Sequence, residues 1–268
     1  VAIMVGIAMQ LQHLLGMQSL NRDIVMRLFK RAGGFSSQPY PQTLADKVVV
    51  NLMFEPSTRT LHSFSLAAMK LGAHVLSPDL AQSSIRKGES DLDTVRAFAA
   101  MGADVIVVRH PETGFALQAA KVLDPWGVHL INAGDGQGEH PTQALLDLLT
   151  IERHFGDCWQ QLTVSIVGDI KRSRVAHSLI LGLQMMGVKK INLIAPKALA
   201  PDTGQFPQAQ VCHSCNGVIA DSDVVVVLRI QHERTAVESL SLQDYIDNYR
   251  LDGKLLQTMK PTAIIMHP

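Results

Sequence analysis

The segment Lys47-Val48-Val49-Val50-Asn51-Leu52-Met53-Phe54 runs directly into Glu55-Pro56-Ser57-Thr58-Arg59-Thr60. The first part is a nearly unbroken apolar run rich in β-branched residues, the pattern of a strand covered on both faces. The second part is a polar turn that opens a helical pattern over Thr60 to Leu71. A buried strand feeding a helix is the first half of a βαβ unit, and such units build parallel sheets. The same pattern recurs at Asp104 to Arg109, Thr163 to Val167, Asp223 to Leu228 and Thr262 to Met266. Shorter candidates lie at His74 to Ser77, Val128 to Asn132 and Lys190 to Ile194. Between them fall helical patterns at Glu89 to Met101, Pro111 to Val122, Pro141 to Phe155 and Ser173 to Met186. The expected fold is therefore α/β, with two doubly wound parallel-sheet domains. The domain border is expected near residue 150, dividing the chain into 1–150 and 151–268. The Pro141 to Phe155 helix bridges them, its apolar residues Ala144, Leu145, Leu148 and Leu149 at helical spacing.

Composition agrees with this picture and narrows the function. At 268 residues the chain is long enough for close to two domains of the usual size. Lys plus Arg and Asp plus Glu both number 24, so no global charge draws the chain to nucleic acid or an anionic membrane. Aromatic residues make up 5%, too few for a base-stacking platform, while 47% hydrophobic residues exclude disorder by composition. Three cysteines are too sparse for a disulfide framework and fit a reducing compartment. No apolar run has the length of a transmembrane helix. The apolar start, Val1 to Met9, lacks the basic n-region of a signal peptide. The sequence begins at Val1 and stops at His267-Pro268 straight after a strand-like run, and both ends read as cut.

Parallel sheets bind ligands beyond the carboxyl ends of their strands, and here those positions are polar. Ser57, Thr58, Arg59 and Thr60 sit where a helix begins, with free backbone N–H groups and the positive end of the helix dipole. One Ser would serve as an ordinary cap. Ser-Thr-Arg-Thr together is more than a cap needs, and fits a phosphate. A glycine-rich loop, Asn132 to Gly138, leads through Glu139 and His140 into a helix with Pro141 at its first position. There the dipole disfavours imidazolium, so a neutral His140 would donate one N–H to a polarised carbonyl; a structural histidine is the alternative. Gln143 follows one turn later and is expected to face the same pocket. Arg109, Arg174 and Arg229 fall, like Arg59, at strand-to-helix switches. The polar loop holding Ser83, Ser84, Arg86 and Lys87 is by composition a weak signal. Gly168-Asp169 is no dinucleotide fingerprint, because G-x-G-x-x-G is absent. Cys212-His213-Ser214-Cys215 has the C-x-x-C spacing of half a zinc site or a redox pair, but no second pair accompanies it. Four guanidinium groups, several hydroxyls and one histidine describe a site for a phosphorylated substrate plus a second anion. No metal or other cofactor is expected, and catalysis would act by positioning and electrostatics.

The motifs FEPSTRT (54–60), SS-x-x-KGES (83–90), VVRHP (107–111), NAGDG with HPTQALLDLLTI (132–151), GDIKRSRVAHSL (168–179) and LRIQHER (228–234) resemble, in order, those of the transcarbamoylases. Within that family the likeness is greatest to aspartate carbamoyltransferase catalytic chains, from about His13 to Pro268. The resemblance implies a carbamoyl-phosphate-binding first domain and an aspartate-binding second domain. It implies transfer of a carbamoyl group from carbamoyl phosphate to the α-amine of L-aspartate, a step of de novo pyrimidine biosynthesis, by a cytoplasmic homotrimer with shared active sites. By the same resemblance, Ser57, Thr58, Arg59 and Thr60 match the phosphate loop, and Arg109, His140 and Gln143 match groups holding the carbamoyl phosphate. Thr60, Arg109 and His140 would polarise the carbonyl. Ser83 and Lys87 would reach into the neighbouring subunit's site, and Arg174, Arg229 and Gln231, with Lys87, would receive aspartate. Family chains continue past the His-Pro pair with a residue whose backbone carbonyl accepts from the carbamoyl amine, and then with further helices. Two alternatives stand beside this reading: an ornithine or other amine carbamoyltransferase, and a catalytically inactive binding subunit. Pro268, where ornithine enzymes carry cysteine, and the RIQHER run favour aspartate. Association with regulatory or other pyrimidine-pathway chains is left open.

Overall fold

A computed structural model describes residues 11–35, 40–80, 88–230 and 241–268. The chain divides into two compact units on either side of the Thr142–Gln143 peptide. Each is built on a five-stranded sheet in which every pairing is parallel.

The first unit contains β1 (His13–Leu14), β2 (Val48–Met53), β3 (His74–Leu76), β4 (Val105–His110) and β5 (His129–Asp135), in the order β1-β5-β4-β2-β3. The chain runs from β2 to β3 on one side, then returns to place β4 on the other side of β2. Strand order therefore reverses between β2 and β4. The crossovers are α1 (Arg22–Gly33), α2 (Thr58–Lys70), α3 (Asp91–Ala100) and α4 (Phe115–Leu123). Val50, Leu52, Ile106, Val108 and Leu130 from the strands pack with Val95, Ala99, Ala116 and Ala119 from the helices in one core. Burying a side chain such as Leu52 or Ile106 contributes roughly 1.5–3 kcal/mol. Helix starts are set locally: Asn21 accepts from the Ile24 N–H at 2.9 Å, and Ser90 accepts from the Asp93 N–H at 3.1 Å.

The second unit contains β6 (Thr163–Val167), β7 (Lys190–Ile194), β8 (Gln210–Cys212), β9 (Val224–Val227) and β10 (Ile264–Met266), in the order β10-β9-β6-β7-β8. Here the reversal lies between β6 and β9. Gly168 ends β6 at φ +129°, and a Cβ there would lie 2.8 Å from the Leu228 carbonyl oxygen just beyond β9. Only glycine lets the two chain segments approach this closely. The sheet interior also holds a polar chain: Asn192 Nδ2 donates to Ser165 Oγ at 3.1 Å, and the Ser165 and Ser222 hydroxyls lie 2.7 Å apart.

The helix α5 (Pro141–Phe155) spans both the expected border near residue 150 and the Thr142–Gln143 division. The strands expected at Thr163 to Val167 and Lys190 to Ile194 form over those residues. Others end one or two residues away from the expected limits, as at β2 and β10, while β5 runs three residues past its expected end, to Asp135. The two strands not foreseen, β1 and β8, are short and lie at sheet edges. Too few residues lie in them to establish an alternating pattern. The helices α6 (Arg174–Met186), α7 (Leu242–Tyr249) and α8 (Gly253–Leu256) complete the described elements.

Asp147, on α5, is buried, and burial pushes its carboxyl from the ordinary 3.8 up to about 7, with a hydrogen bond from Gln143 acting in the opposite direction. Between those values the folded chain holds a proton that the unfolded chain has released. The contribution of this group to stability therefore falls as pH rises through that window. Asp147→Asn, which cannot ionise, should gain stability relative to the parent as pH rises, by at most about 1.4 kcal/mol per pH unit. Denaturant unfolding of both proteins at about pH 5 and about pH 8 measures this. A difference that stays constant would show that Asp147 ionises alike in both states.

Candidate active site

Each reversal of strand order opens a crevice between helices that leave the sheet in opposite directions. The candidate residues of the first unit gather at the β2/β4 reversal. Beyond β2, Ser57 holds the N-cap position of α2 in extended conformation, yet its side chain makes no capping bond. Its hydroxyl donates instead to Thr60 Oγ1 at 2.8 Å. The first-turn amides of α2 thus keep the anion-binding character of an uncapped helix start. Arg59 is exposed on that turn.

Arg109 lies near the end of β4, opposite Met53, and its carbonyl accepts from the Phe54 N–H at 2.9 Å. Its guanidinium is 14% exposed and donates to Glu55 Oε1 at 2.9 Å through Nη2 and to the Ala133 carbonyl at 3.4 Å through Nη1. The buried Nε has no hydrogen-bond partner among the described residues. Glu55, part of the quoted turn but given no role from sequence, is thus the residue that orients Arg109.

His140 is buried immediately before Pro141, with its Nδ1 3.3 Å from Thr142 Oγ1. The loop that delivers it is organised by Asp135. The Asp135 carboxylate accepts from the Gly114 N–H at 2.9 Å and the Glu139 N–H at 2.9 Å. Asn132 Nδ2 donates to the Leu15 carbonyl at 2.8 Å, and Asn132 Oδ1 accepts from the Gly134 N–H at 2.8 Å. At Gly136, φ is +44°, and a Cβ would fall 2.5 Å from Thr113 N and 2.9 Å from the Pro111 oxygen. This loop packs too tightly for any side chain there. A register irregularity between Val108 and His110 marks where β4 and β5 part to make room for it. Gln143, in the second unit, donates through Nε2 to Asp147 Oδ1 at 3.0 Å. Asp147 was not singled out from sequence.

The second unit shows the same arrangement at the β6/β9 reversal. Ser173 caps α6 by accepting from the Ala176 N–H at 3.2 Å, and Arg174 is the first residue of that helix. Arg174 is buried, whereas Arg229, just beyond β9, is exposed. The Asp169 carboxylate, fully buried, lies 3.8 Å from Arg172 Nη1. Ser83, Ser84, Arg86, Lys87 and Gln231 lie outside the described residues.

The Cys212–Cys215 pair does not behave as a reactive centre. Both thiols are free, and burial pushes Cys215 up to about 11 and raises Cys212. A thiol held protonated is a poor nucleophile and a poor ligand. Among the described residues no group of three or more His, Cys, Asp or Glu side chains could hold a metal ion.

Comparison with known proteins places this geometry. Residues 12–153 match the family model for the aspartate/ornithine carbamoyltransferase carbamoyl-P binding domain, and residues 160–268 match that for the Asp/Orn binding domain. The aspartate carbamoyltransferase catalytic subunit of Coxiella burnetii is 45% identical over 261 residues, covering 96% of this chain and 83% of the relative. That of Vesicomyosocius okutanii is 40% identical over 264 residues, covering 97% and 82%. The crystal structure of aspartate transcarbamoylase from Trypanosoma cruzi in complex with carbamoyl aspartate and phosphate superimposes with a TM-score of 0.87 at 30% identity, covering 97% of this chain and 85% of that one. The same enzyme in complex with carbamoyl phosphate and aspartate gives a TM-score of 0.86 at 29% identity, covering 97% and 86%. With both family models matched in order and the two reversals equipped alike with arginines, the chain belongs to the aspartate/ornithine carbamoyltransferase family.

Proposed function

We propose that this chain transfers the carbamoyl group of carbamoyl phosphate to the α-amine of L-aspartate, releasing phosphate and N-carbamoyl-L-aspartate. The observation that carries the proposal is the β2/β4 reversal. There an uncapped helix start and a buried, incompletely paired guanidinium stand at the ends of neighbouring strands. Such a place suits a phosphorylated ligand: the backbone N–H groups of Thr58, Arg59 and Thr60 donate to phosphate oxygens, and Arg59 and Arg109 balance their charge. The uncommitted Nε of Arg109 gains a partner when an anion binds, which removes the cost of a buried unsatisfied donor.

The reaction then needs little beyond placement. The amine lone pair attacks the carbamoyl carbon, and negative charge grows on the carbamoyl oxygen. Thr60, Arg109 and His140 supply donors to that oxygen. The C–O bond to phosphate breaks, its electron pair and the proton released by the amine go to the leaving phosphate, and Arg59, Arg109 and Lys87 meet the charge that phosphate carries. Gln143 accepts from the carbamoyl NH2, and Ser83 adds a polar contact to the phosphate. Aspartate brings two carboxylates, for which Arg174, Arg229, Gln231 and Lys87 are the receiving groups. Among the described residues, unit one carries Ser57, Thr58, Arg59, Thr60, Arg109 and His140, and unit two carries Gln143, Arg174 and Arg229. We accordingly read the domains, 1–150 and 151–268, as binding carbamoyl phosphate and aspartate respectively.

The proposal extends to a cytoplasmic homotrimer in which Ser83 and Lys87 complete the neighbour's site. Three free cysteines suit a reducing compartment, and no helix among the described residues is long and apolar enough to cross a membrane. Family resemblance in the 83–90 segment supports the shared site.

Steady-state assays with aspartate and ornithine side by side test the reaction, with carbamoyl aspartate as the expected product. Preferential carbamoylation of ornithine, or none of either, would sink the proposal. Arg229→Ala should weaken aspartate use by roughly 2–4 kcal/mol and leave carbamoyl phosphate binding nearly intact. An equal loss for both substrates would remove Arg229 from the aspartate set.

The shared site has its own test. Lys87→Ala and Arg109→Ala trimers should each be nearly inactive. After dissociation, equal mixing and reassembly, a site is intact when the subunit supplying Arg109 carries the Lys87 change and its neighbour carries the Arg109 change. Random assembly makes this about a quarter of sites, given heterologous cyclic contacts. No recovery in mixed trimers verified by mass spectrometry would place Lys87 outside the neighbour's site.

A further inference from the structure

Gln143 can meet a ligand with either end of its amide, and the two ends ask for opposite partners. Oε1 accepts, whereas Nε2 donates. A carbamoyl NH2 group needs the acceptor. A freely turning amide would offer the wrong end part of the time, so something must hold Nε2. Asp147 stands one helical turn further along α5, is 5% exposed, and accepts from Gln143 Nε2 at 3.0 Å through Oδ1. Its Oδ2 is buried without a hydrogen-bond partner among the described residues. A carboxyl group in such surroundings costs stability relative to an apolar residue, and the groups that meet the substrates in the mechanism above do not include it.

We propose that Asp147 is a positioning residue: by accepting from Nε2 it fixes the Gln143 amide with Oε1 as the end left for the carbamoyl NH2 of carbamoyl phosphate. The inference rests on the reading of Gln143 as a ligand of the carbamoyl group. Above the pH of about 7 at which this buried carboxyl ionises, it has no proton to donate, so it accepts only the NH2 end and rejects the flipped amide. An asparagine would hold either end, and an alanine neither.

The test is a double-mutant cycle read in the KM for carbamoyl phosphate at saturating aspartate, at a pH well above the value of about 7 at which Asp147 ionises. Gln143→Ala and Asp147→Ala should each raise that KM by about three- to tenfold, the worth of one hydrogen bond, with kcat changed much less. Asp147→Ala added to Gln143→Ala should raise it no further, because the carboxylate acts only through the amide. Asp147→Asn should give a smaller increase than Asp147→Ala, and none in the Gln143→Ala background. That arm decides the matter if Asp147→Ala proves to be unfolded by circular dichroism. Effects that multiply in the double variants, or a fall in kcat alone, would overturn the positioning role while leaving the reaction untouched. A Gln143→Ala enzyme with unchanged KM would overturn the reading of Gln143, and this inference with it.

Discussion

A parallel strand cannot be joined to its neighbour by a tight turn; the chain must leave the sheet, cross one face and return. Every strand in this molecule is under that constraint, and its consequence is that all carboxyl ends of one sheet lie on the same edge. Where strand order reverses, the crossing helices depart to opposite sides and leave the strand ends uncovered. The first sheet reverses at β2 and β4, the second at β6 and β9. Arg59 follows β2 and Arg109 lies near the end of β4, while Arg174 and Arg229 follow the second pair. Four cations thus reach two crevices through topology, without a dedicated fold for either.

The two crevices hold charge by different means. At the first, Ser57 spends its hydroxyl on Thr60 rather than on the helix, so backbone amides remain for a ligand. Arg109 is kept in place by Glu55, which also moderates the cost of burying a guanidinium. At the second, Ser173 caps α6 in the ordinary way, which commits an amide to the protein. Positive charge must come there from side chains, and Arg174 provides it although the helix start disfavours a cation. Amides gathered at a helix terminus match a compact phosphate. Separate guanidinium groups match carboxylates spaced along a flexible acid.

The strands were legible because burial on both faces leaves an unbroken apolar run, and Thr163–Val167 shows how sharply such a run can be bounded. The edge strands β1 and β8 need only a few backbone bonds to a neighbour, which leaves no pattern in the side chains. The helix Arg22–Gly33 did carry a signal: Asn21 precedes it, and Ile24, Val25, Leu28 and Phe29 share its buried face. At the site, Arg59, Arg109, Arg174 and Arg229 were legible because position after a strand is a property of the sequence. The roles of Glu55 and Asp135 were not. A carboxylate's partner depends on register between strands distant in sequence, and in the case of Asp135 on the irregularity that parts β4 from β5.

Asp147 shows what kind of signal was present but unread. On α5 the residues Ala144, Leu148 and Ile151 form a buried stripe, and position 147 falls within it by helical spacing. A carboxylate that interrupts an apolar stripe carries a desolvation cost which a hydrophobic residue at the same place would avoid. Its polar partner among the described residues, Gln143, lies one helical turn away, and such a pair returns only about 0.2–0.5 kcal/mol to the helix, less than the cost of burying the carboxylate. Stability alone therefore gives no account of an aspartate at this position. The interaction it does make constrains the orientation of an amide, and orientation matters only to whatever that amide meets.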